Sequence, residues 1–367
     1  MATSPFFRSR KHGSAGASSK DDGGVEVEAD FSLEAQLRDL LKLTRDDGEP
    51  NLNPLMELLR DFNAMKFNIK FFGYELAKIL AENLPPAPSG GPFEVSMMSK
   101  PSTQADLSDD WTRHWTSELR VAHVFHRKLW ELAYVLQFVW QTGNMGEGKR
   151  GLGFGCGEEP LPSYLASKGC HVTVTDLEPT DRRAAGWAST NELATLEKAY
   201  KSEFLDRETF NRLVDFKYVD MTDIPSDLRG FDFCWSICAF EHLGSIAAGM
   251  DFVESAVDVL KPGGVSIHTT EFNFMNDVET MDNWSTVLFQ RKHFEEMARR
   301  LEAKGCDVAP LCFDVGDGAL DKFIDVAPYA HDWRFDQGGA WRDGANHIKL
   351  TADGFPVTCF GIIATKR

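Results

Sequence analysis

The stretch Gly151–Asp176, GLGFGCGEEPLPSYLASKGCHVTVTD, decides the fold. A short apolar run leads into a turn holding Gly153, Gly155 and Gly157, then into a helical spacing, and closes on the alternating run HVTVTD. Two strands joined through a helix lie parallel in one sheet with a right-handed crossover. Glycines at a strand-to-helix turn let the backbone pass close to a ligand and aim N–H groups at it. Asp176 ends the second strand 19 residues after Gly157. A carboxylate at that place can accept both hydroxyls of an adenosine ribose.

The same alternation continues toward the C-terminus. Strand-like runs at Gly151–Gly155, Val172–Asp176, Phe216–Val219, Phe231–Ser236, Gly264–Thr270 and Pro356–Thr365 are interleaved with helical runs such as Ala247–Leu260 and His293–Lys304. This predicts an α/β, doubly wound domain over 148–367, with ligands at the carboxyl ends of its strands. Those ends are polar: Asp220 and Met221 in VDMTDIP, Ser236 followed by Glu241-His242 in FDFCWSICAFEHL, and Glu271 in LKPGGVSIHTTEFN.

Ahead of the alternating part the spacing is helical, which makes 30–147 an N-terminal cap region. Leu33, Leu37, Leu40 and Leu41 share one helix face, and Asn53-Pro54 opens a second helix that Gly73 is expected to bend or interrupt. LPPAPSGGP at Leu84–Pro92 marks a break. One long helix should follow, capped by Asp109 or Asp110 and buried along Trp111, Trp115, Leu119, Ala122, Phe125, Leu129, Leu132, Leu136 and Val139. Residues 1–29 have little to bury and read as a disordered tail; its first twenty carry bases and no acids, which leaves organelle targeting as an alternative to a cytoplasmic location.

A net charge of −17 disfavours DNA or RNA as a partner. No apolar run is long enough to span a bilayer, so no membrane partner is expected. The cysteines, at 156, 170, 234, 238, 306, 312 and 359, show no metal-ligand or disulfide spacing; they read as reduced thiols, and no metal is expected.

The ordered series resembles the motifs of class I S-adenosylmethionine (AdoMet)-dependent methyltransferases: glycine loop, ribose acid, adenine acid, a fourth strand followed by EH, and LKPGG before strand five. The resemblance implies a Rossmann-like seven-stranded sheet with its last strand antiparallel, and AdoMet as cofactor. It places Gly155 and Gly157, with Gly153 and Cys156 beside them, against the methionine part. Asp176 and the adjoining Leu177 would meet the ribose, Asp220 and Met221 the adenine, and Ser236 the sulfonium. Two positions depart from the pattern: the usual acid of strand one is Gly153, and the usual third glycine is Glu159. Contact to the cofactor's amino group must then come from elsewhere, from Glu158 or a backbone carbonyl.

The activity implied is methyl transfer to a small polar acceptor, at oxygen by preference, with Glu271, His242 and Glu241 as candidate bases. His268, inside strand five, reads as a core histidine. Arg113, His114, His126 and Arg127 are placed to reach a polar substrate, and the long segment Phe313–Leu350 to cover it. The alternatives are a non-catalytic AdoMet-binding scaffold and an NAD(P)-dependent oxidoreductase. Against the latter, Glu158-Glu159 on the turn would repel a pyrophosphate.

Overall fold

The computed structural model describes residues 44–45, 47–181, 194–327, 329 and 346–367. The expected tail, the helix at Leu33–Leu41 and the centre of the Phe313–Leu350 segment lie outside the described residues. The chain divides into two compact units, Met1–Asn63 and Ala64–Arg367. In the first, Thr44 bridges Pro50 around a turn with Gly48 at φ 83°.

The second unit is built on a mixed sheet. Strands β2 (Arg150–Phe154), β3 (His171–Asp176), β4 (Val214–Tyr218), β5 (Phe231–Ile237) and β6 (Leu260–Asn273) run in the order β4-β3-β2-β5-β6. All are parallel, and the order reverses direction at β2, so the crevice for a ligand opens between β2 and β5. The last strand, β10 (Phe355–Lys366), is antiparallel to β6, as the resemblance implied.

The strand count is larger than the expected seven. Among the described residues ten strands join one sheet. With twelve residues, β10 is long enough for its outer edge to be tiled by three short pieces. β9 (Lys349–Ala352) pairs with its start, β1 (Lys100–Pro101) with its middle and β7 (Cys306–Val308) with its end. β8 (Ile324–Asp325) adds beyond β9. Runs of two to four residues carry no periodicity of their own, so β1, β8 and β9 were invisible in the sequence.

Two helical expectations are corrected. Helix α1 (Leu52–Glu82) runs unbroken through Gly73. A Cβ at Gly73 would stand 2.3 Å from the Phe323 ring, so this glycine serves a close approach rather than a bend. The single long helix after Leu84–Pro92 is instead a short α2 (Gln104–Ser108) followed by α3 (Asp110–Glu118) and α4 (Arg127–Gln141). Asp109 caps α3 by accepting from the Trp111 N–H, as expected. Arg120, at φ 56°, turns the chain out of α3, and the His126 side chain caps α4 by accepting from the Lys128 N–H. Both helices keep apolar residues buried, Trp111 and Trp115 on α3 and Leu129, Leu136 and Val139 on α4.

α4 packs across β5, β6 and β10. Leu136 and Val139 are fully buried there, each worth about 1.5–3 kcal/mol of apolar burial. Its polar core residue Gln137 accepts from the Trp115 indole at 2.7 Å and donates to the Phe93 carbonyl. Farther along the sheet, Asp325 accepts from Lys70, Tyr74 and His347 at 2.6, 2.8 and 2.7 Å, tying α1 to β8. Among the described residues no helix is long and apolar enough to cross a membrane.

Candidate functional site

A cleft of about 500 Å³ opens at the carboxyl ends of β2, β3 and β5, inside the usual range for small-molecule sites. Its floor is the turn between β2 and α5 (Leu161–Ser167). Gly155 and Gly157 adopt φ 58° and 54°, a region that disfavours any side chain. At Gly155 a Cβ would also meet the Ala239 Cβ at 2.9 Å. Gly155, Cys156 and Gly157 line the cleft together with Glu158, Glu159 and Pro160.

On one flank Asp176 and Leu177 close β3 and line the cleft. The Asp176 carboxylate accepts from the Leu177 N–H at 2.8 Å and the Ala194 N–H at 2.7 Å, one on each oxygen. Burial pushes its pKa up, opposed by N–H bonds from Ala194, Leu177 and Gly157. A carboxylate has about four lone-pair sites, so acceptor capacity remains for a ligand hydroxyl. Beyond it Asp220 accepts from the Thr222 N–H and hydroxyl at 2.8 and 2.7 Å, which fixes the turn that brings Met221 to the cleft.

The opposite flank comes from β5 and α4. At the end of β5 Cys238 takes φ 43°, a left-handed conformation that costs roughly 1–3 kcal/mol in a non-glycine residue. That kink leads into the short turn Phe240–His242 and brings Cys238, Ala239, His242 and Leu243 to the wall. Lys128 and Leu132 of α4 complete it.

His242 Nδ1 lies 3.0 Å from the Ser285 carbonyl and 3.3 Å from the Thr286 hydroxyl. A carbonyl can only accept, so Nδ1 carries a hydrogen toward Ser285. Glu241, behind it, is buried; its Oε1 sits 3.9 Å from His242 Nε2 and its Oε2 accepts from Thr270 at 2.9 Å. Burial raises the Glu241 pKa, with His242 opposing.

Several expected site residues stand elsewhere. Ser236 is fully buried, and its hydroxyl bonds His268 Nδ1 at 2.8 Å. Side chains alternate along a strand. Trp235 and Ile237 face α4, so Ser236 faces the other layer with His268, Phe240 and Phe252. His268 is the core histidine expected, its pKa pushed down to about 3 by burial. Gly153 lies beneath the turn rather than at the cleft wall, its carbonyl accepting from Thr175 at 2.8 Å. Glu271 is buried beside the cleft and held by Arg127, not on its wall.

The polar residues of the Trp-rich stretch are committed to structure as well. Arg113 bonds the Pro86 carbonyl at 2.7 Å, and His126 caps α4. The residue of this stretch that does reach the cleft is Lys128, whose Nζ stands 3.4 Å from the buried Glu131. Its place one residue after the Arg127 of HRKLWE carried no distinguishing signal. Glu158 points outward, 3.2 Å from Lys198, whereas Glu159 is half-buried and accepts from the Trp235 indole at 3.0 Å.

Residues 152–268 match the family described as "Methyltransferase domain". Over that span, from β2 into β6, the chain carries the sequence of a methyltransferase domain. S-adenosylmethionine, the donor implied by the motif series, agrees with that family. The match favours methyl transfer over the oxidoreductase alternative. No curated protein matches the chain.

Solved structures similar to the methyltransferase include phosphoethanolamine N-methyltransferase 2 of Haemonchus contortus, with 16% identity, 63% of this chain and 52% of that one covered, and a TM-score of 0.40. The cyclase SpnF shares 14% identity over 80% of this chain and 96% of its own, with a TM-score of 0.41. Magnesium protoporphyrin IX methyltransferase of Synechocystis shares 9% identity over 64% and 80%, with a TM-score of 0.37. Likenesses this distant carry nothing about the acceptor.

Proposed function

We propose that the cleft holds AdoMet with its adenine at Asp220 and Met221, its ribose on Asp176 beside Leu177, and its methionine arm along Gly155, Cys156 and Gly157. The methyl group then passes to a small polar acceptor, at oxygen. Residues 148–367 form the catalytic domain on this reading, with 30–147 contributing its cap through α4. A cleft whose rim carries Glu158, Asp176 and Asp220, in a chain of net charge −17, repels a nucleic-acid backbone.

The observation that carries the acceptor reading is His242 on the cleft wall. Its Nδ1–H is anchored on the Ser285 carbonyl, and a buried carboxylate stands behind Nε2. In-line displacement at an activated methyl needs positioning more than acid–base work. A hydroxyl acceptor, however, must lose its proton as the new C–O bond forms, and a neutral imidazole can take it. Glu241 then stabilises the resulting imidazolium. Glu271, paired with Arg127, supports the packing of α4 on β6 and does not contact the acceptor.

The test is single-turnover methylation by the full chain with panels of hydroxyl, amine and thiol acceptors, reading S-adenosylhomocysteine formed. His242→Gln should lower turnover of a hydroxyl acceptor by about 10²–10⁴-fold with unchanged S-adenosylhomocysteine affinity. Full activity in that variant removes the base assignment, and turnover confined to amines or thiols removes the oxygen assignment.

A further inference from the structure

The strand-one acid that this fold's resemblance leads one to expect is replaced by Gly153, and the structure shows what fills its place. Gly153 and Trp235 are register partners on β2 and β5. A Cβ on Gly153 would lie 2.5 Å from the Trp235 ring and 2.3 Å from Cys156 Sγ. The indole therefore occupies the volume in which a side chain at position 153 would stand. An acid there is sterically incompatible with tryptophan at 235.

The same indole supplies a replacement. Its Nε1–H is donated to Glu159 Oε2 at 3.0 Å, which folds Glu159 back from the far side of the glycine turn onto the cleft wall. Glu158, the neighbouring acid, points outward toward Lys198. We propose that Glu159, held by Trp235, is the carboxylate that binds the α-ammonium of the cofactor's methionine arm, so that the pair Trp235–Glu159 substitutes for the acid missing at Gly153. This rests on the cleft being the AdoMet site.

Electrostatics agree with that role. In the free protein burial pushes the Glu159 pKa up to about 8. The Trp235 bond and Lys128 of α4 pull it down, while Glu131 of α4 and Asp176 of β3 push it up; Cys156, beneath it, is a buried thiol. A half-buried carboxyl with no ion pair among the described residues is a natural seat for an ammonium, which favours the ionised form. Binding an ammonium at neutral pH must then expel the proton from Glu159 to solvent.

The experiment is titration calorimetry of the full chain at pH 7 in buffers of different ionisation enthalpy. The probes are S-adenosylhomocysteine, which has the amino-acid arm, and 5′-methylthioadenosine, which lacks it. The wild type should release a proton with the first probe and none with the second, as expected for a buried carboxyl with a raised pKa that ionises on binding. Glu159→Gln keeps an acceptor oxygen for the Trp235 N–H, so the fold is preserved. It should abolish the proton release and weaken S-adenosylhomocysteine about 10- to 100-fold while leaving methylthioadenosine within about twofold. Proton release and probe discrimination that survive in Glu159→Gln overturn the assignment while leaving the cleft as an AdoMet site. Failure of both probes to bind the wild type overturns the AdoMet placement itself.

Discussion

Replacing Asp176 with asparagine separates two jobs that one carboxylate performs. Its oxygens each accept a backbone N–H, from Leu177 at 2.8 Å and Ala194 at 2.7 Å. An amide offers one oxygen and one NH₂, so in either orientation one of these N–H groups meets a donor. Leaving a buried donor unsatisfied costs about 1–3 kcal/mol. For a domain of this size that is roughly 2–4 °C in Tm per kcal/mol. The second job is the ribose. Hydrogen bonds to an ionised acceptor are worth about 1.5–3 kcal/mol, and the variant loses the charge and one acceptor together. The dissociation constant for S-adenosylhomocysteine should therefore rise about 10- to 150-fold. Thermal melting of the free protein and calorimetry at pH 7.5 read the two effects independently. A lower Tm with an unchanged dissociation constant would refute the ribose assignment and leave Asp176 as a backbone staple alone.

Ser236→Ala should destabilise the domain by about 1–3 kcal/mol, because it strands the buried His268 Nδ1, yet leave S-adenosylhomocysteine affinity within about twofold. A large affinity loss on calorimetry would return Ser236 to the cofactor site. At Gly73 the sign decides: alanine in an ordinary helix stabilises by about 0.5–1 kcal/mol, but here the Cβ meets the Phe323 ring at 2.3 Å, so a loss of about 1–3 kcal/mol in denaturant unfolding is expected. Stability of the free protein should also carry the signature of Glu159. Its pKa is about 8 when folded against 4.5 ordinarily, so below 4.5 both states are protonated and its contribution is complete. As pH rises toward 8 the unfolded chain alone gives up the proton, and that contribution is lost. Tm measured from pH 5 to 8 should fall less steeply in Glu159→Gln, and parallel curves would contradict the burial of that carboxyl.

Much of the fold was legible because periodicity is a local property. HVTVTD alternates, Ala247–Leu260 repeats at helical spacing, and the positions at which the period changes are the positions at which strands end. The first and second strands, the glycine turn and Asp176 could be placed on those grounds, as could Asp220 and Met221. Side-chain parity is just as local: Trp235 and Ile237 belong to the α4 layer, which sends Ser236 to the other one. Glu271 ends its strand where chemistry is expected, but its partner Arg127 is 144 residues away, and no local pattern announces that pair.

The sequence by itself determined that Gly151–Asp176 is a strand–turn–helix–strand unit with a ligand at its turn, because φ-permissive glycines and alternating apolar residues act within a few bonds of each other. Only the tertiary structure decided which of two adjacent acids is folded back against the sheet. Glu158 and Glu159 are equivalent in the chain, and the choice falls to an indole on a neighbouring strand that fills the space above Gly153 and donates its N–H to Glu159. It also decided that His242 and Lys128, far apart in sequence, share one wall, since that depends on a left-handed Cys238 and on how α4 crosses the sheet.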